Sequence, residues 1–298
     1  MKILNINTSK VLFVAFLVAA ILPLTAQNTN LGNNSGTGGT DNSNFGVSAG
    51  QNTTTGGDEN TFVGYFAGQT NTTGIRNTFM GSNTGANSTG SRNTFLGSYA
   101  GELNTNGVNN VYMGFYAGRN STSGSRNVYI GKDAGVWNIT GSDNVFLGFG
   151  SGKNETGSHK LYIDNNYNAT PLMYGDFSTN KLGINTKNLI NSLGAIDLSA
   201  YSLYVKGGTI AEEVRIRTGW ADYVFDNDYK LMSIYEVADF IEENGHLPNI
   251  PSAETVENEG LELGVITTKQ QEKIEELTLY VIQLQKQLNV LKKKLKEE

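Results

Sequence analysis

The chain has 298 residues, of which 36 are Gly, 4 are Pro and none is Cys. Only 17% are charged, against roughly 25% in ordinary soluble domains, and 27 of the glycines lie between Gln27 and Lys160. That concentration excludes a helical domain, and the lack of a triplet period excludes collagen. The missing Cys excludes a disulfide scaffold, a thiolate metal site and a Cys nucleophile.

Lys2 and Lys10 lead into an apolar run over 11–22, followed by Pro23 and Leu24-Thr25-Ala26-Gln27. The charged, apolar and small-residue order predicts a secretory signal over 1–26, cut between Ala26 and Gln27. The run is shorter than the roughly 20 residues that span a bilayer. Its removal leaves 20 basic against 28 acidic residues, a net −8. An exported, acidic chain at the cell surface or in the medium is expected, without nucleic-acid binding or a membrane span.

From Asn60 the chain copies itself. Asn60-Thr-Phe-Val-Gly returns from Asn77, Asn93, Asn110, Asn127 and Asn144 at steps of 17, 16, 17, 17 and 17 residues, with a partial copy at Leu161-Tyr-Ile-Asp. Irregular copies stand upstream at Asn28 and Asn42. A small residue and Gly follow most copies, as in Ala67-Gly68 and Ala117-Gly118, before Asn/Ser/Thr/Gly turns. A fixed period with one short strand per copy predicts stacked coils over 27–164, a parallel β-roll or β-helix solenoid.

Successive strand residues point to opposite faces. The third position is aromatic (Phe62, Phe79, Phe95, Tyr112, Tyr129, Phe146) and the fourth aliphatic (Val63, Met80, Leu96, Met113, Ile130, Leu147). One row fills the coil together with the first-position Asn; the other faces outward beside Thr61, Thr78, Thr94, Val111, Val128 and Val145. An outward aliphatic stripe predicts an interface between copies of the chain. Two alternatives are a monomer that tolerates the stripe and a flat Thr-bearing face for an ordered surface such as ice or glycan.

The Asn-x-Φ-Φ-Gly-x-x-Ala-Gly units resemble the head repeats of trimeric autotransporter adhesins and the shafts of phage tail fibres. That resemblance, over about 28–164, implies a trimer of parallel β-rolls and an adhesive or fibre-like role toward a surface glycan or host-cell ligand. The period is longer than the adhesin repeat. The terminal β-barrel of a true autotransporter has no counterpart after Asp164, where no set of alternating ten-residue strands follows.

Over 165–219 the pattern predicts short strands at Pro171–Phe177, Lys181–Thr186, Ser202–Gly208 and Glu213–Arg217. In 220–260, Ser233 and Glu236 form a capping box that opens a helix over 234–243, closed by Gly245. His246-Leu-Pro-Asn-Ile-Pro-Ser252 reads as a rigid extended turn. The stretch Trp220–Ser252 resembles the C-terminal module of the endosialidase-type intramolecular chaperone family. Members of that family cut themselves with a Ser near a Lys. Here Ser233 sits in a helix cap, and Lys230 belongs to a predicted strand end, so no self-cleavage is expected.

Over 261–298 Ile274, Val281, Leu288 and Leu295 share one heptad position, and Leu277, Leu284 and Leu291 the other. This predicts a left-handed coiled coil. β-Branched residues at the first position favour two strands, while the resemblance of the repeat implies three. The flanking positions hold Thr278, Tyr280, Gln285, Gln287, Lys292 and Lys294, so charge pairing specifies little. The terminal lysines complement the helix dipole.

Chemistry-bearing residues are sparse. Glu102, Asp133, Asp143 and Glu155 fall at different repeat positions, which gives no carboxylate pair for glycan hydrolysis. Asp226-Asn-Asp228 lacks the spacing of a calcium loop. His159 and His246 sit in turns, and the sequons at Asn71, Asn87, Asn120 and Asn154 follow from turn composition. No enzyme activity, metal or cofactor is expected. A glycan-binding or glycan-degrading protein related to tail spikes is the alternative function.

Overall fold

The structure, a computed structural model, describes residues 28–33, 35–167 and 169–297. The predicted signal and its cut between Ala26 and Gln27 lie outside the described residues. The chain forms two compact units: one reaches to Leu189 and takes in Tyr201–Gly208, the other comprises Ile190–Ala200 and the chain from Thr209 onward.

The first unit is a parallel β-solenoid. Its strands are β1 (Thr29–Leu31), β2 (Ser43–Phe45), β3 (Thr61–Val63), β4 (Thr78–Met80), β5 (Thr94–Leu96), β6 (Val111–Met113), β7 (Val128–Ile130), β8 (Val145–Leu147) and β9 (Lys160–Ile163). Each pairs in parallel with the next, and the register advances one repeat at a time: Thr61 faces Thr78, then Thr94, then Val111. There is one strand per coil.

The other two sides of each coil are also tied to the next by backbone hydrogen bonds. Gly101 N–H donates to Ala117 and Gly118 N–H to Ala134, each at 2.9 Å. On the third side Arg92 N–H donates to Ile75 at 2.8 Å, and Arg126 N–H to Val108 at 3.0 Å. Buried backbone groups must find partners, and here the neighbouring coil supplies them.

Four side-chain columns fill the interior: the rings, the ladder Asn, an Ala column through Ala67, Ala100, Ala117 and Ala134, and a polar column through Asn71, Ser88, Asn104, Ser121 and Asn138. The rings of Phe79, Phe95, Tyr112, Tyr129 and Phe146 stack face to face, with centroids 4.6–4.8 Å apart and planes within 7°. Coil spacing sets this distance, because parallel strands lie about 4.8 Å apart. Each offset-stacked pair adds about 1 kcal/mol beyond burial. Beside the rings runs the Asn column. Asn93 Oδ1 accepts from Asn110 N–H at 2.9 Å, and its Nδ2 donates to the Gly107 carbonyl at 2.8 Å. The same pair of bonds recurs at Asn60, Asn77, Asn110, Asn127 and Asn144.

Two glycine columns are enforced by space and by backbone conformation. Gly97 has φ +126°, and a Cβ there would meet the Gly114 carbonyl group at 2.7 Å. Gly118 has φ +57°, and a Cβ there would meet the Tyr112 ring at 2.6 Å. Side chains rarely adopt such φ values.

The sheet does not stop at β9. β10 (Met173–Asp176) pairs antiparallel with β9, and β11 (Lys181–Ile184) pairs antiparallel with β10. The predicted strands at Pro171–Phe177 and Lys181–Thr186 are thus a hairpin that reverses the winding. The ring column turns with it: Tyr162 meets Phe146 at 85° and Tyr174 at 79°.

The second unit contains the short hairpin β12 (Ser192–Leu193) and β13 (Ile196–Asp197). In the first unit β14 (Leu203–Val205) pairs in parallel with β11 and ends the twelve-stranded sheet. After a 3-10 turn at Asp222–Phe225 come α1 (Ile234–Asn244), α2 (Ala253–Glu259) and α3 (Leu263–Glu297). The capping box at Ser233 and Glu236 forms, and Gly245 closes α1 in the left-handed conformation.

Three expectations are corrected. Glu213–Arg217 is not in a sheet, because no strand lies beside it. Lys230 follows a turn rather than ending a strand. The stretch to Ser252 is not extended throughout: Asn249 is left-handed at φ +64° and Ile250 N–H donates to the Leu247 carbonyl at 3.2 Å, closing a turn, while Ser252 is extended and caps α2.

Candidate interaction surfaces

Burial of the aromatic row decides the other face of the strand. Phe62, Phe79, Phe95, Tyr112, Tyr129 and Phe146 are fully buried. The aliphatic row therefore points out: Met80 is 44% exposed, Leu96 and Met113 38% and Ile130 37%, while Val63 and Leu147 are half-buried. Thr61, Thr78, Thr94, Val111, Val128 and Val145 flank them on the same face. The parallel register aligns these residues into a two-column strip, one column aliphatic and the other Thr in β3–β5 and Val in β6–β8.

One edge of the strip is a column of left-handed residues before each ladder Asn, including Glu59, Arg76, Arg92, Asn109, Arg126 and Asp143, and continued by His159 before Lys160. Their side chains pair along the axis. Arg76 Nε donates to Glu59 at 2.8 Å, and Arg126 binds Asp143 through two hydrogen bonds. The Arg126 guanidinium holds the Asp143 carboxyl below the ordinary carboxylate range.

The other edge is the corner after the first Gly, where exposed Tyr65, Phe115 and Phe149 emerge. Next to Phe115 the rings of Tyr99 and Tyr116 share the Arg119 guanidinium, 5.7 and 4.8 Å from their centroids. Arg119 Nε donates to Glu102 at 2.6 Å. Tyr99 and Tyr116 share one repeat position and Glu102 and Arg119 another, so the 17-residue spacing is the signal that brings the cluster together on adjacent coils.

Where the repeat breaks, a cleft of about 250 Å³ opens, lined by Lys153, Glu155, Tyr162, Asp164, Tyr167 and Lys187 among others. Its polar groups are already engaged. Glu155 accepts from the Tyr162 hydroxyl and from Gly157 N–H, and Tyr167 donates to Asp133. Burial raises the Asp133 carboxyl, but the Tyr167 and Lys132 hydrogen bonds outweigh it and leave the group below its ordinary value.

In the second unit, the first half of α3 is anchored to the chain before it. Tyr223 donates to Glu272, Tyr229 to Glu276, and the Tyr280 hydroxyl to the Met232 carbonyl at 2.7 Å. Lys273 bridges Glu272 and Glu276 at 2.9 and 2.8 Å. The heptad residues receive no such cover. Ile274, Leu277, Val281, Leu284, Leu288, Leu291 and Leu295 are all exposed, from 44% at Leu288 to 73% at Leu295. Seven large apolar side chains in heptad register on one helix form a seam that the chain leaves uncovered.

Among the described residues there is no cluster of three His, Asp or Glu side chains suited to a metal, and no helix long and apolar enough to cross a membrane. Asp226 is the C-terminal cap of the 3-10 turn. His246 Nδ1 lies 3.0 Å from the Leu247 carbonyl, and His159 belongs to the left-handed edge column. Asn71 is fully buried, which removes it from any surface chemistry.

The coil geometry defines the first unit as a parallel β-solenoid with about 17 residues per turn, and a long C-terminal helix belongs to the second unit. Comparison with protein-family models, with curated proteins and with solved structures finds no match.

Proposed function

We propose that this protein is an exported structural fibre or adhesin-like head that works as a homotrimer. One observation carries the reading: two long apolar surfaces, the aliphatic strip and the heptad seam of α3, are both regular and both uncovered in the single chain. Regular self-similar surfaces fit copies of themselves, which is the economical way to bury both. The likeness of the repeat to adhesin heads and tail-fibre shafts supports three chains, and the signal-like N-terminus supports export. The head then presents its coil corners to a surface glycan or host-cell ligand.

Sedimentation of the full chain tests this, with an expected mass of three chains. Loss of residues 261–298 is expected to weaken the assembly, and L96K with I130K to weaken it further. A single-chain mass for the intact protein overturns the proposal.

A second reading, glycan binding or degradation, is favoured by the exposed rings at Tyr65, Phe115 and Phe149, since such rings stack on sugar faces. Incubation with cell-surface polysaccharides separates the two. Sustained release of reducing ends defeats the structural reading, and binding without turnover agrees with an adhesive head.

A further inference from the structure

The run of residues 205–220 is exposed at every position, unlike any comparable stretch of the solenoid. Within it, Thr209–Thr218 has no secondary structure, and among the described residues its backbone N–H and C=O groups make no backbone hydrogen bond. Yet the sequence alternates as a strand does. Val214 and Ile216 occupy one row with Ile210, and Glu213, Arg215 and Arg217 occupy the other. Ile210 is wholly exposed and Val214 is 66% exposed. A β-patterned segment with a free backbone on both sides is an open template for strand pairing.

The surroundings and the charges narrow the occupant. Ile216 and Thr218 run across the first turn of α3: a Cβ on Gly264 would meet Ile216 Cγ2 at 3.0 Å and Thr218 Cβ at 3.5 Å. The segment therefore sits at the base of the helix that carries the uncovered heptad seam. Copies brought together along that seam bring their 209–217 segments together as well. The polar row is complementary to itself, since Glu213 of one strand can meet Arg215 or Arg217 of another. Within one chain Arg215 Nη2 already lies 3.6 Å from Glu213 Oε1. Opposite charges across strands favour pairing, and like charges oppose it.

We propose that Thr209–Arg217 is an assembly strand that pairs with the same segment of other copies of this chain, with Val214 and Ile216 covered between them. This rests on the homo-oligomer reading above and adds a specific contact to it.

The chain has no Cys, so a single introduced thiol reports only on its own position. The full-length V214C protein is to be oxidised mildly and run on a non-reducing gel, with E254C on α2 as the reference. Hydrogen exchange of the unaltered protein is to be followed over residues 210–217. The expected result is a covalent dimer band for more than half of V214C, only a trace for E254C, and amide exchange slowed at least tenfold relative to a peptide of the same sequence. If the chain sediments as an oligomer but either the cross-link or the protection is missing, the assembly strand is wrong and the oligomer stands. A chain that sediments as a single copy overturns both.

Discussion

In the solenoid each stacked ring is covered by the ring one coil away, and each Asn of the ladder by its counterpart in the next repeat. In α3 the heptad residues have no counterpart within the chain at all. Both regions are periodic, at about 17 residues in one and 3.5 in the other, but only the first period returns the chain to its own neighbour. A repeat that winds back on itself can complete its core alone. A straight helix cannot cover its own stripe, and in α3 the heptad row stays exposed in the single chain. Periodicity thus announces a packing partner, and the geometry of the repeat says whether that partner is the same chain.

The sharpest way to break this contrast is inside the coil. G118A forces a Cβ onto the Tyr112 ring at a φ of +57°. F95A opens a cavity in the middle of the stack and is expected to cost about 3–5 kcal/mol. N93A leaves the Asn110 N–H and the Gly107 carbonyl without partners and is expected to cost about 2–4 kcal/mol. Denaturant unfolding should register all three, with G118A at least as damaging as F95A. If they were tolerated as readily as a surface change, the coils would not be the cooperative unit described.

The helix should answer differently. L277K with L284K is expected to leave the unfolding of the solenoid unchanged while lowering the sedimenting mass. A loss of solenoid stability at unchanged mass would show that the seam serves the chain itself.

Acid should affect both regions. Burial raises the Asp133, Asp176 and Glu272 carboxyls, but hydrogen bonds outweigh it and hold all three below their ordinary values: from Tyr167 and Lys132 to Asp133, from Lys160 and Ser178 to Asp176, and from Tyr223 and Lys273 to Glu272. A depressed carboxylate stabilises the fold fully above its unfolded value, about pH 4, and the contribution drains as pH falls through the folded value. Melting followed from pH 6 to pH 2 should therefore show its steepest loss below pH 4.

The smallest effect lies within the ring column. The Tyr112 hydroxyl donates to Ser121 Oγ at 2.9 Å, whereas the Tyr129 hydroxyl is buried without a partner. Y112F is expected to cost about 1 kcal/mol and Y129F to be neutral or stabilising. Equal losses would mean that the two rings are equivalent after all.

Much of the solenoid could be read from its residues because one motif performs every local task. Asn supplies the ladder, the aromatic residue the core, the aliphatic residue the outer face, and Gly the corner. The left-handed columns through Arg92 and Arg126, or through Tyr99 and Tyr116, gave no signal, because non-Gly residues seldom hold that conformation. Only the neighbouring coils make it worthwhile. At Glu213–Arg217 the alternation is genuine but no strand lies beside it, so a pattern that normally marks a strand marks none here. α2 was hidden because Pro248 and Pro251 dominate the reading, whereas Ser252 just after them opens a helix. The helix over Leu263–Glu297 was legible from its 3.5-residue spacing, which needs no tertiary information.

The Asn ladder has a direction. Each Asn oxygen receives the N–H of the following repeat, from Asn28 through to Asn144, where Lys160 takes the last bond and has no amide to offer onward. Any interior coil therefore presents the same donors to one side and the same acceptors to the other. Whole repeats can be gained or lost by duplication or deletion without rewriting their neighbours, each shifting the far end by about 4.8 Å. The solenoid is a ruler whose length is written as a copy number.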